Sequence, residues 1–87
     1  MKLENAIYMG VSAMDRKIND FVIFCLEYYK QKNNLTGKEA YNIFEKYDVF
    51  EYLSEGYDVL HTQGKDWLMN DIEEFLKVSI KASATQN

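Results

Sequence analysis

The sequence predicts an all-α fold, a compact single-domain bundle of about four helices. Three observations carry that prediction. The chain has no proline and only four glycines, so little in it breaks a helix. Apolar residues recur at i, i+3, i+4 and i+7 over long stretches, which is the period of one helix face. Strand-type alternation is hard to find. The length of 87 residues makes one small domain. Its apolar fraction of 47% and aromatic fraction of 15% exclude a disordered chain and supply a core without disulfides.

The first helix is expected over about Asp15–Lys32. Ile18, Phe21, Val22, Cys25, Leu26 and Tyr29 form its inner stripe. Ile23 and Phe24 lie off the stripe, so the helix is apolar over more than half its circumference and is expected to be central and well covered. Asn33–Asn34 ends it. Thr36-Gly37-Lys38-Glu39 reads as a capping box, in which Thr36 and Glu39 satisfy each other's backbone amides. A second helix follows to about Lys46, with Ala40, Ile43, Phe44 and Tyr47 inward. Asp48-Val49-Phe50-Glu51 repeats the device and opens a third segment, Val49 to about Leu60. Phe50, Leu53, Tyr57 and Leu60 form its inner face. Gly56 weakens it and can split it, with Ser54 capping the second piece. The fourth helix is expected over about Lys65–Lys81, with Leu68, Ile72, Phe75, Leu76 and Ser79 or Ile80 inward.

Residues 15–81 are therefore read as the helical domain and 82–87 as a frayed tail. Residues 1–14 are read as an N-terminal arm, with an extra turn of helix, a short strand or a partner-binding arm all open.

Charge and cysteine usage exclude several functions. The net charge is −4, the basic residues are scattered, and there is one arginine, so nucleic-acid binding is not expected. One cysteine and one histidine make no intramolecular disulfide and no metal site, and no cofactor is implied. The longest apolar run, Phe21–Leu26, is too short to span a bilayer, and the N-terminus is no signal peptide. A cytoplasmic protein is expected.

His61, Asp58 and Ser54 share a helix face at i, i+4 and i+7 spacing, the residue types of a hydrolytic triad. A triad needs the histidine between the other two and an oxyanion hole beside the serine, and this pattern offers neither. His61 reads instead as the end of the third helix, where it satisfies free carbonyls and can pair with Asp58. Cys25 reads as a small buried hydrophobe. Asp66, Asp71, Glu73 and Glu74 read as a solvated acidic face or a patch for a basic partner. Seven tyrosines in so short a chain are unusual, and Tyr28 and Tyr29 cannot both point into one core. Two or three are expected on the surface, where tyrosine favours interfaces.

Residues 21–76 carry a set of motifs: FCLE-x-Y, LTGKEAY, YDVLHTQG and the acidic DI-x-EF. They resemble a family of small bacterial proteins of unknown function, typical of gut and other anaerobic Firmicutes. Its members are similar to the small companions encoded beside toxin-like proteins, ADP-ribosyltransferase-like ones among them. The resemblance implies a toxin–antitoxin role with this chain as the neutralising partner. It implies no catalytic residues, and it favours a defined turn at His61–Gly64, with Gly64 left-handed.

The expectation is a non-enzymatic protein-binding module. Its contact face is expected at Tyr52, Tyr57, Asp58, His61, Thr62 and Gln63. The alternative is a structural or regulatory homo-oligomer, a homodimer for instance.

Overall fold

Thr36 forms the capping box that its spacing predicts. Its hydroxyl accepts from the Glu39 amide at 3.1 Å, and the Glu39 carboxylate accepts from the Thr36 amide at 2.8 Å. The computed structural model describes residues 13–85, and among them all regular structure is helical. Five helices follow in order: α1 Ala13–Lys32, α2 Gly37–Lys46, α3 Val49–Glu55, α4 Tyr57–Leu60 and α5 Lys65–Thr85. The expected arm falls mostly on residues 1–12, outside the described ones, and Ala13 and Met14 already belong to α1.

Each helix end has a local cause. At the end of α1, Asn34 takes a left-handed backbone (φ 55°). The Leu35 amide then reaches the Lys30 carbonyl at 3.0 Å and the Asn34 amide reaches Gln31 at 3.3 Å, closing a Schellman motif. Asp48 stands just past the end of α2, its amide reaching the Glu45 carbonyl at 3.4 Å. It too is left-handed (φ 59°), and its side chain makes no capping bond to α3. The expected second capping box is therefore absent, because an N-cap needs an extended backbone and Asp48 spends its conformation terminating α2. The segment after it splits at Gly56, as its glycine predicts. Gly56 itself begins α4, and Ser54 does not cap it. Ala82–Thr85 continue α5, consistent with the high helix propensity of alanine.

The core joins one face of every helix. Val22, Cys25 and Tyr29 of α1 meet Ala40 and Phe44 of α2, Val49 and Leu53 of α3, Leu60 of α4, and Leu68, Met69, Ile72 and Leu76 of α5. Phe44 is fully buried, with its ring 5.2 Å from Tyr29 and 5.5 Å from Phe50. Truncating it to alanine would remove about 3–5 kcal/mol. A salt bridge from Lys32 to Glu73 at 3.1 Å ties the end of α1 to α5. α3 runs antiparallel to α5: Asp48 shares a groove with Ser79, Ala82 and Ser83, while Tyr52 contacts Asp71 and Phe75.

Two packing expectations change. α1 is not covered all round, since Ile23 and Phe24 remain 50% and 43% exposed. The other helices gather on the Val22–Cys25–Tyr29 side and leave the opposite side to solvent. In α5, Met69 replaces Ile80 in the core, and Ile80 is 47% exposed. Among the described residues no helix is long and apolar enough to cross a membrane.

Candidate partner-binding face

The turn after α4 is built by short-range bonds. His61 lies four residues after Tyr57, and its Nδ1 stands 2.6 Å from the Tyr57 carbonyl oxygen. In the neutral ring that contact requires the proton on Nδ1, which leaves Nε2 as an acceptor facing out. The imidazole also lies on the Tyr57 ring, with centroids 4.2 Å apart. The Thr62 hydroxyl donates to the Val59 carbonyl at 2.8 Å, and the Gln63 side-chain amide donates to Thr62 Oγ1 at 3.4 Å. The carbonyls left over at the end of α4 thus find partners within the turn. Gly64 does not take the left-handed conformation expected of it. Its carbonyl instead accepts the first helical bond of α5, from Leu68 at 2.9 Å, so it stands at the N-cap.

Beneath the turn, Tyr57 is buried and meets the Phe21 ring of α1 edge-on at 5.5 Å. Tyr57, expected on the contact face, lies beneath it, with His61 over its ring. One turn along α1, Phe24 stacks on Tyr28 at 6.0 Å and 5°. Lys65, the first residue of α5, sets its ammonium 4.9 Å from the Tyr28 ring centroid, within range of a cation–π contact. Two ring clusters, Phe21–Tyr57–His61 (edge-on, then stacked) and Phe24–Tyr28–Lys65, thus bridge α1 to the segment around the turn. Their outer parts and the exposed Asp58, Val59 and Thr62 are taken together as the candidate face.

The sequence reading places its candidate face on the turn, and the α1 side, Phe24 and Tyr28, lies outside that reading. A signal existed in Phe24, which lies off the inner stripe, and in Tyr28, which cannot share the core with Tyr29. Nothing in the sequence marked Lys65.

Tyr52 does not join this face. It stands on the flank of α3 that looks toward α5, where its hydroxyl donates to Asp71 Oδ2 at 2.5 Å and its ring stacks on Phe75 at 4.2 Å. Burial pushes its hydroxyl up to about 12, with the Asp71 hydrogen bond and charge adding to the effect. The acidic face of α5 is partly spoken for in the same way. Glu73 pairs with Lys32 and Glu74 with Lys77.

His61 and Asp58 form no ion pair, and the polar partner of His61 is a backbone carbonyl. Cys25 is fully buried and burial pushes its thiol up to about 12, far from a nucleophilic thiolate. A groove of about 580 Å³ lies elsewhere, over Tyr29, Ile43, Tyr47, Leu76 and Ile80 with Glu73 and Lys77 at its rim. Among the described residues no group of three or more His, Cys, Asp or Glu gathers as metal ligands do.

Residues 20–78 match the family described as "Protein of unknown function (DUF3791)". The chain belongs to that family. No curated protein and no solved structure matches it. The DUF3791 region begins two residues before Val22 and ends two residues after Leu76, so it encloses the whole buried core. It also contains both ring clusters that flank the turn and the Tyr52–Asp71 contact. The first turns of α1 and the last of α5 lie outside it.

Proposed function

We propose that this DUF3791 chain is a non-enzymatic protein-binding module of the cytoplasm, and that its partner is a toxin-like enzyme which it neutralises. The observation that carries the binding reading is the exposed apolar surface. Phe24, Tyr41, Trp67 and Ile23 are each between 43% and 50% exposed, in a domain whose buried set is small. Large rings left outside a core favour partner contact, because they supply area at little entropic cost. The face beside the turn adds polar groups fit for orientation: His61 Nε2, Asp58, Thr62 and Gln63. The net charge of −4 would speed encounter with a basic partner. The toxin-like identity rests on the motif resemblance alone.

The test is co-purification of the tagged chain at physiological salt, with mass spectrometry of what elutes. A single stoichiometric partner is expected, and a Phe24→Glu, His61→Ala variant that keeps its helical circular dichroism should lose it. Elution alone would end this reading. Elution as a dimer in light scattering would favour the homo-oligomer, which the same exposed side chains also fit.

A further inference from the structure

The charge of this chain is segregated. Residues 47–76 carry eight carboxylates against one lysine, a net −7 in a chain of −4, so the remainder is +3. Along α3 and α4 the acids Asp48, Glu51, Glu55 and Asp58 recur at 3-4-3 spacing, and all four are exposed. Glu51 and Glu55 share one outer stripe of α3, with Asp48 just before that helix and Asp58 on α4 after the Gly56 break. None of them belongs to the ion pairs formed among the described residues, which use Glu27, Glu73 and Glu74.

Part of that stripe borders an apolar strip. Tyr52 stacks on Phe75, and both are half-buried. Trp67 lies one turn before Asp71 on α5 and is 47% exposed, and Val78, one turn past Phe75, is 68% exposed. The antiparallel register of α3 and α5 puts Asp48 at the Ser79–Ser83 end of this strip and Glu55 toward its Trp67 end. The face therefore has an aromatic and aliphatic centre and a carboxylate rim of Asp48, Glu55 and Asp71. At the Asp48 end, Lys46 lies 5.4 Å from the Tyr47 ring centroid.

We infer that the α3–α5 face, from Asp48 and Val78 to Glu55 and Trp67, is a docking surface for a basic amphipathic segment of a partner protein. Apolar side chains of that segment cover Trp67 and the Tyr52–Phe75 stack, and its lysines or arginines meet the unpaired acids. Charge complementarity selects this occupant, because the rim offers carboxylates with no internal counter-charge. A cation over Trp67 gains further from the ring face. The inference rests on the protein-binding reading but uses a different face from the His61 turn.

Trp67 is the sole tryptophan, so its emission reports directly on the face. The full chain is titrated with a synthetic amphipathic peptide of leucine and arginine. A permuted peptide of the same composition without an apolar stripe serves as control. A blue shift of Trp67 emission is expected, with affinity about tenfold or more above that of the permuted peptide. Glu55→Lys with Asp48→Lys should weaken binding about tenfold, and raised salt should weaken it further. Equal affinity for the two peptides, or unchanged binding by the charge-reversed variant, would overturn the inference while leaving co-purification of a partner intact. No binding at all would overturn it as well. A blue shift on concentrating the chain alone, with a dimer in light scattering, would give the face to a second copy instead.

Discussion

The imidazole of His61 lies flat on the ring of Tyr57, 4.2 Å away with 9° between the planes, while its Nδ1 bonds the carbonyl of the same residue at 2.6 Å. One residue thus holds the histidine through both its backbone and its side chain. The arrangement closes α4 and shields Tyr57. His61→Ala should lower stability by about 1 kcal/mol. His61→Asn, which keeps a donor for the carbonyl, should recover part of that loss in urea denaturation. Equal stability of wild type and both variants would contradict the structural role.

Tyr52 offers a pH signature. Its hydroxyl is raised from the ordinary 10.0 to about 12 by burial and by Asp71. The stability gained by holding it protonated is full below pH 10 and is lost as pH rises toward 12. Cys25 and Tyr29 shift in the same direction, so wild type should weaken across this window. Tyr52→Phe should cost about 1–2 kcal/mol at pH 7 and then lose less than wild type between pH 10 and 12. Parallel curves for the two proteins would refute the assignment.

The thiol of Cys25 is fully buried and raised from 9.0 to about 12. Labelling of the folded chain at pH 8 by a thiol reagent should be at least about 100-fold slower than in concentrated urea. Fast labelling under native conditions would show that α1 exposes this stripe.

One substitution should act with opposite signs at two glycines. A Cβ at Gly37 meets nothing within 4 Å, and its backbone is not left-handed, so Gly37→Ala should stabilise by about 0.5 kcal/mol. At Gly56 a Cβ would stand 2.8 Å from Leu60 Cδ1 and 3.2 Å from the Tyr52 carbonyl. Leu60 is buried and has little room to yield. Gly56→Ala should therefore destabilise by about 1 kcal/mol despite its better helix propensity. Thermal unfolding of the pair decides it.

The two expected capping boxes can be told apart in the same way. Thr36→Ala should cost about 1 kcal/mol, since it removes a bond that exists. Asp48→Gly should be neutral or stabilising, since it relieves a left-handed aspartate. If Asp48 were a true N-cap, both changes would destabilise.

The helical class, the Thr36 capping box, the break at Gly56 and most of the core were legible in the sequence. These follow from the spacing of apolar residues and from short-range bonds, which a local stretch of chain contains in full. Ile23 and Phe24 show the limit. Their place off the inner stripe was legible, but whether another helix covers them depends on where α2, α3 and α5 come to rest. Asp48 shows it again. The same residue can open α3 or close α2, and the packing of the two helices chose the left-handed backbone that closes α2. The candidate face divided along this line. His61 and its turn are local and could be read, and so is the Phe24–Tyr28 stack within α1, while Lys65 reaches Tyr28 only because α5 starts beside α1. Tyr52 and Tyr57 look alike in sequence, five residues apart on one helical segment. Tertiary structure alone set Tyr57 against Phe21 of α1 and Tyr52 against Asp71 and Phe75 of α5, because the flank on which each ring falls gives them different neighbours.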